Sequence, residues 1–193
     1  MEVKETVRKY DKREHYTYAD YAKWDDDRRW ELIDGEAYAM SAPSAMHQSM
    51  LVELGRQFAN FLVGKQCKVF VAPFDVCLNA KGDKDDTVVQ PDLVVICDRS
   101  KLNEKWYNGA PDLIIEITSP SSSRTDRIKK LNKYLQAGVR EYWIADPEDK
   151  GVTVHILDNG KYIVSAYDET ESISVNVLED CIINLTDVFA APL

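Results

Sequence analysis

Between Ser44 and Gly64 the apolar residues Met50, Leu51, Leu54, Phe58, Phe61 and Leu62 fall on one stripe at helical spacing. This predicts an amphipathic helix stopped by Gly64. The period then changes. "CKVFVAPFDVCL", "DLVVICD" and "DLIIEIT" read as strands, separated by the polar loops "NAKGDKDDTVVQ" and "RSKLNEKWYNGAP". The second and third lack a polar-out alternation, so they are expected at the centre of a sheet, covered on both faces. Helical spacing returns from about Arg124 to Ala137, with Ser123 and Asp126 as a capping-box-like start and Gly138 as the stop. "EYWIAD" is one more short strand. Hairpins are predicted at both ends, around Asp34-Gly35 and Asp158-Asn159-Gly160, and the tail closes with a strand and a turn near "LTDVF". The core order is helix, three strands, helix, strand, an α/β (α+β) arrangement with a mixed central sheet.

Composition narrows this picture. With 193 residues, 45% of them hydrophobic, the chain suits a single domain over 1–193, with 1–16 as an N-terminal arm and a short helix over 17–25. No apolar run approaches the ~20 residues of a membrane span, and the N-terminus is too charged for a secretory signal. Cys67, Cys77, Cys97 and Cys181 form no CxxC pair, and three sit in predicted strands. They read as buried thiols of a reducing, cytoplasmic compartment, not as a disulfide frame or zinc site. The net charge of -9 argues against non-specific coating of DNA, though it leaves room for a local basic groove.

Period two decides which strand residues share a face. Asp92, Val94 and Ile96 point one way; Asp112, Ile114, Glu116 and Thr118 point one way on the next strand. If the strands are neighbours, Asp92 and Glu116 converge at a sheet end, a donor pair suited to a hard divalent cation such as magnesium. Pairing of each acid with a basic residue is the plainer reading, and it has more force for Asp92 than for Glu116, which lies deep in an apolar strand. On the following helix Ile128, Leu131 and Leu135 are expected to be buried. Asp126, Lys130 and Tyr134 form the strip beside them, and of the lysines only Lys130 sits at the edge of the core. Asp126 is first of all a cap, and with Lys130 it could be a plain surface pair. His47 lies in the centre of the first helix's stripe, where an inward histidine is more often a core residue than a catalytic one. Glu53 and Arg56 face away. Glu36, after the Asp34-Gly35 turn, is either an edge-strand charge or a further acid of the same pocket. The Ser run "SPSSSRTD" lacks the glycines and GK[ST] of a P-loop, and no GxSxG, HExxH or EF-hand pattern occurs.

"ELIDGEAYAMSAPSAMHQ", "QPDLVVI" and "PDLIIEITSPSSSRTDRIKKLNKYLQAGVREYWIADPE" resemble the Uma family of restriction-endonuclease-like proteins, within the PD-(D/E)xK nuclease superfamily. The likeness runs from about Tyr18 to Phe189 and is most specific from Asp112 to Asp146. It implies an α-β-β-β-α-β restriction-endonuclease-like core and a metal-dependent endonuclease acting on DNA. Asp92 would be the Asp of the "PD" element and Glu116 the acid of "ExK". Thr118 stands where that element has its lysine, and Lys130 matches a position where the family keeps one. Since Glu53 points away, Glu36 or His47 would replace the acid often supplied by the first core helix. The implied cofactor is Mg (or Mn), held by Asp92, Glu116 and the carbonyl of Ile117, with Lys130 acting on the water or phosphate and Tyr134 and Asp126 positioning it. Many restriction-type nucleases cut as dimers, so a homodimer is expected. The alternatives are a catalytically inactive nuclease-fold module with a regulatory or interaction role, and a hydrolase of small phosphorylated substrates.

Overall fold

The computed structural model of the chain describes residues 15–25, 27–119 and 125–190, the side chains of 125–127 excepted. A short helix α1 (Tyr18–Tyr21) precedes the hairpin β1 (Trp30–Ile33) and β2 (Glu36–Ala39). Its turn residues Asp34 and Gly35 both have positive φ, 54° and 78°, as the tight primed hairpin turns require. Helix α2 (Ala45–Phe61) follows, opened by Ser44, whose hydroxyl accepts from the His47 amide. The chain continues through β3 (Lys68–Val71), β4 (Asp75–Cys77), β5 (Val88–Val89), β6 (Leu93–Ile96), β7 (Trp106–Asn108) and β8 (Leu113–Ile117). A π-helical turn over Thr125–Lys130 leads into α3 (Leu131–Ala137), closed by Gly138 at φ 83°. Then come β9 (Glu141–Asp146), the hairpin β10 (Gly151–Asp158) and β11 (Lys161–Asp168), and a tail of β12 (Ser172–Ser174), β13 (Ile182–Asn184) and α4 (Leu185–Val188).

The predicted core order is present as α2-β3-β6-β8-α3-β9. Its strands lie in a six-stranded sheet ordered β11-β10-β9-β8-β6-β3, mixed because β8 and β9 run parallel and the other pairs antiparallel. Both faces of its central strands are covered. Met50, Leu54 and Phe58 of α2 pack with Leu93, Leu113, Ile115 and Trp143 on one side; Tyr134 of α3 packs with Val94, Ile114 and Tyr142 on the other. Burying both faces explains why β6 and β8 carry apolar residues at nearly every position.

The structure departs from the expectations in five places. A second, five-stranded sheet (β2-β1-β5-β4-β7) lies beside the first, built partly from the loops read as polar. The segment "CKVFVAPFDVCL" is two strands, β3 and β4, one in each sheet. Ile128 is 55% exposed, while Lys130 and Tyr134 are the buried positions. A π turn bonds i to i+5, so the angular phase of the wheel slips before α3 begins, and a stripe drawn at the α-helical period misplaces Ile128. Cys67 and Cys97, flanking the antiparallel β3–β6 pair, form a disulfide, so only Cys77 and Cys181 are free thiols, both buried. The expected arm is shorter at its inner end: Tyr16 is buried and its amide donates to the Gly35 carbonyl, while 1–14 lie outside the described residues. No helix among the described residues is long and apolar enough to cross a membrane.

Candidate functional site

Antiparallel register brings the two strand acids together. Leu93 pairs with Ile115, so one step further Asp92 stands opposite Glu116 across β6 and β8. Asp92 is fixed at its Oδ2, which accepts the Ile117 amide at 2.7 Å and lies 3.1 Å from His47 Nε2. A carboxylate oxygen accepts, so Nε2 is the donor of this pair. The His47 Nδ1 is buried without a hydrogen-bond partner. An extended residue sends its N–H and C=O to the same strand edge. The Ile117 carbonyl therefore leaves β8 on the side where Asp92 lies.

Glu116 is 4% exposed and bound from the helix above it. Lys130 Nζ donates to its Oε1 at 2.9 Å and the Tyr134 hydroxyl to the same oxygen at 2.7 Å. Burial foremost, then the adjacent Glu116 charge, pushes the Tyr134 phenol well above its ordinary pKa, so it remains a neutral donor. Lys130 has a further partner, Glu31 of β1, whose Oε1 also lies 2.9 Å from Nζ. Glu31 Oε1 accepts the Gln90 amide at 2.8 Å as well, and the Gln90 side chain donates to Asp75 Oδ1 at 2.8 Å and to the Tyr21 hydroxyl at 2.9 Å. Desolvation raises the Asp75 pKa above the usual carboxylate value. A polar chain thus runs from Glu116 through Lys130 and Glu31 to the segment Gln90-Pro91 that leads into Asp92.

These groups line a cleft of about 280 Å³, whose walls include Arg29, Glu31, His47, Asp92, Glu116 and Lys130, with Ser41 and Pro43 among the other lining residues. Among the described residues the Arg29 side chain has no ion-pair partner, and Asp92 Oδ1 receives no hydrogen bond. No cluster of three or more His, Cys, Asp and Glu side chains placed to hold a metal ion occurs among the described residues.

Asp92, Glu116, Ile117, Lys130, Tyr134 and His47 are therefore neighbours in space. Glu36 is not among them: its side chain is exposed and accepts a hydrogen bond from Tyr38, because it lies towards the turn end of the hairpin, opposite Ile33. Asp126 lies outside the described side chains. Thr118 is buried with its amide on the Ala145 carbonyl at 2.8 Å, so the "ExK" lysine position is filled by a short side chain inside the sheet. Glu31 is the acid that the sequence reading missed. Its signal was the one that singled out Glu116, a lone acid between apolar strand residues ("WELI").

Comparison with known proteins agrees with this architecture. The profile of the family Uma2, described as "Putative restriction endonuclease", matches residues 18–186. The uncharacterized protein slr1290 of Synechocystis sp. is 25% identical over 160 residues, covering 81% of this chain and 82% of that protein. A crystal structure from Anabaena variabilis, described as a putative nuclease belonging to DUF820, superposes with a TM-score of 0.73 at 20% identity, covering 90% of this chain and 97% of the other.

Proposed function

The chain belongs to the Uma2 family, and from that premise we propose that it is a metal-dependent endonuclease hydrolysing phosphodiester bonds in DNA, with Asp92, Glu116 and Lys130 as its catalytic residues. The observation that carries the reading is the meeting of Lys130 with Glu116 at 2.9 Å in a cleft that Asp92 also lines. Lys130 comes from the helix, not from the strand, and takes the place that Thr118 leaves vacant.

The donors of the cleft fit a hard divalent cation. Asp92 and Glu116 carboxylates and the Ile117 carbonyl are hard oxygen ligands, and magnesium needs only one or two carboxylates, completing its shell with water and substrate phosphate. Charge points the same way: Glu31, Glu116 and Asp92 bring three carboxylates to a site where Lys130 contacts the first two and His47 the third. When bound, a divalent cation such as Mg or Mn would supply an activated water and Lewis-acid stabilisation of the scissile phosphate.

The chain's own residues do the rest. His47 and the Ile117 amide hold Asp92 Oδ2, leaving Oδ1 towards the cleft. Glu31 and Glu116, the latter held by the Tyr134 hydroxyl, fix Lys130 so that its ammonium faces the developing charge on phosphate without reorganising. Arg29 at the cleft wall is a cation for the nucleic-acid backbone. Two copies of the chain acting together would cut both strands, and we read the protein as a homodimer.

A second reading, a catalytically inactive module on the nuclease scaffold, is favoured by one observation: Glu116 Oε1 already carries both Lys130 and Tyr134. Manganese titration followed by a plasmid-nicking assay separates the two. The nuclease reading expects metal-dependent nicking that is lost in Asp92→Ala and in Glu116→Ala; no metal binding and no nicking would leave the inactive module.

A further inference from the structure

Strand β11 ends the six-stranded sheet, and among the described residues no strand pairs with its outer edge. At eight residues it is long for an exposed edge, and its register with β10 is unbroken, so no bulge twists it away. Proteins blunt such edges with proline, inward charge, bulges or a cover. Here "KYIVSAYD" has no proline and keeps its charges at the two ends. Its middle presents Ile163 at 57% and Val164 at 55% exposure, one on each face of the sheet.

The turn determines which backbone groups are unused. Asn159 and Gly160 both have positive φ, 48° and 78°, so the closing pair Asp158–Lys161 is hydrogen-bonded. Lys161, Ile163, Ser165 and Tyr167 therefore direct their N–H and C=O groups to β10. Tyr162, Val164, Ala166 and Asp168 direct theirs outwards.

We propose that β11 is the homodimer interface, two copies pairing their β11 strands antiparallel about a two-fold axis so that their six-stranded sheets become one. The proposal rests on the dimeric reading above and on nothing about cleavage. Charge complementarity selects the occupant. Antiparallel self-pairing sets the single lysine at the start of the strand, Lys161, against the Asp168-Glu169 end of the second copy, twice. Asp168 remains ionised for this purpose, because Thr170 donates to it from both its amide and its hydroxyl, at 2.8 and 2.6 Å.

Backbone parity limits the register, since outward groups must face outward groups. The register centred on Ser165 satisfies this. It sets Val164 opposite Ala166, Ile163 opposite Tyr167, a favourable aliphatic–aromatic cross-strand pair, and Lys161 opposite Glu169, whose existing partner Lys150 is exposed. Ser165 then faces its own copy as a non-hydrogen-bonded pair, the closer of the two antiparallel spacings.

Sedimentation velocity of the full chain over a concentration series, with Val164→Lys and Ser165→Cys as variants, tests this. The wild type is expected to dimerise. Val164→Lys should weaken the dimer by about tenfold or more, through the like charges it brings to the seam. Its circular dichroism should be unchanged, since Val164 is half-exposed. Ser165→Cys should cross-link into a dimer on a non-reducing gel; the native free thiols, Cys77 and Cys181, are buried and do not compete. A dimer that Val164→Lys leaves intact and Ser165→Cys does not trap would overturn the interface alone. A chain that stays monomeric at high concentration would overturn the interface and the dimeric reading together. Neither result bears on the nuclease reading.

Discussion

Glu31 and Lys130 are separated by 99 positions in the chain and meet at 2.9 Å in the cleft wall, both nearly excluded from solvent. A lysine two residues beyond Glu116 would be placed by its own strand. A lysine delivered from a helix has no such tether, and Glu31 supplies it. Because Glu31 also takes the amide of Gln90, the same carboxylate ties α3 to the backbone leading into Asp92.

Removing that tether should cost both stability and activity. Breaking one side of a buried ion pair costs about 3–5 kcal/mol. Glu31→Ala is therefore expected to lower unfolding stability by about 3 kcal/mol in urea titrations. Glu31→Gln keeps one acceptor oxygen and should lose less. If Glu31 acts through Lys130, nicking by Lys130→Met should fall no further when Glu31→Gln is added; an additive loss would assign Glu31 an independent role.

His47 is expected to act on metal affinity. Its Nε2 and the Ile117 amide are the two groups that orient Asp92 Oδ2. Residues that orient a metal ligand typically contribute 10- to 100-fold in affinity. His47→Ala should accordingly weaken manganese binding by about that factor, measured calorimetrically, while the Lys130–Glu116 contact stays in place. Unchanged affinity would reduce His47 to a core residue.

Cys67–Cys97 closes a loop of sequence separation 30. In the chain-entropy account a loop of that size contributes about 3–4 kcal/mol. Cys67→Ser, or reduction of the wild type, should lower the urea midpoint accordingly, and the reductant should have no effect on the serine variant. A midpoint indifferent to reductant would show that the bond does not form in solution.

Much of the fold was legible because local periodicity and tertiary burial agree there. Strands β6 and β8 are apolar at both parities because both their faces are covered, and α2 shows one stripe because it covers one of those faces. Glu116 stood out because a charge in such a strand needs compensation. The five-stranded sheet was hidden, since β5 has two residues and β7 three, too few for any period to register. Ile128 was misplaced because the π turn alters the phase that a helical wheel assumes. Glu31 carried a visible signal, but nothing local says that β1 lies against α3. That contact depends on how one hairpin folds across the cleft. The pairing of Cys67 with Cys97 is likewise a property of the β3–β6 register, not of the spacing of the cysteines.

Asp75 yields the pH dependence. Its pKa is raised in the folded protein chiefly by desolvation, with Gln90 and Tyr21 opposing the shift through hydrogen bonds. A group whose folded pKa exceeds its unfolded value binds its proton more tightly when folded. Its contribution to stability is fully present below the unfolded value, about 3.9 for an aspartate, and is lost as pH rises through the folded value. Asp75→Asn keeps the Oδ1 acceptor that Gln90 and Tyr21 use, and removes the titration. Urea unfolding at a series of pH values from 3.5 to 7, in about half-unit steps, should therefore show the asparagine variant gaining on the wild type as pH rises, with the difference smallest at the acidic end. A difference that is constant with pH, or that grows towards acid, would mean that the Asp75 carboxylate is ionised in the folded protein at no cost, and that the chain of hydrogen bonds from Tyr21 to Lys130 offsets its burial in full.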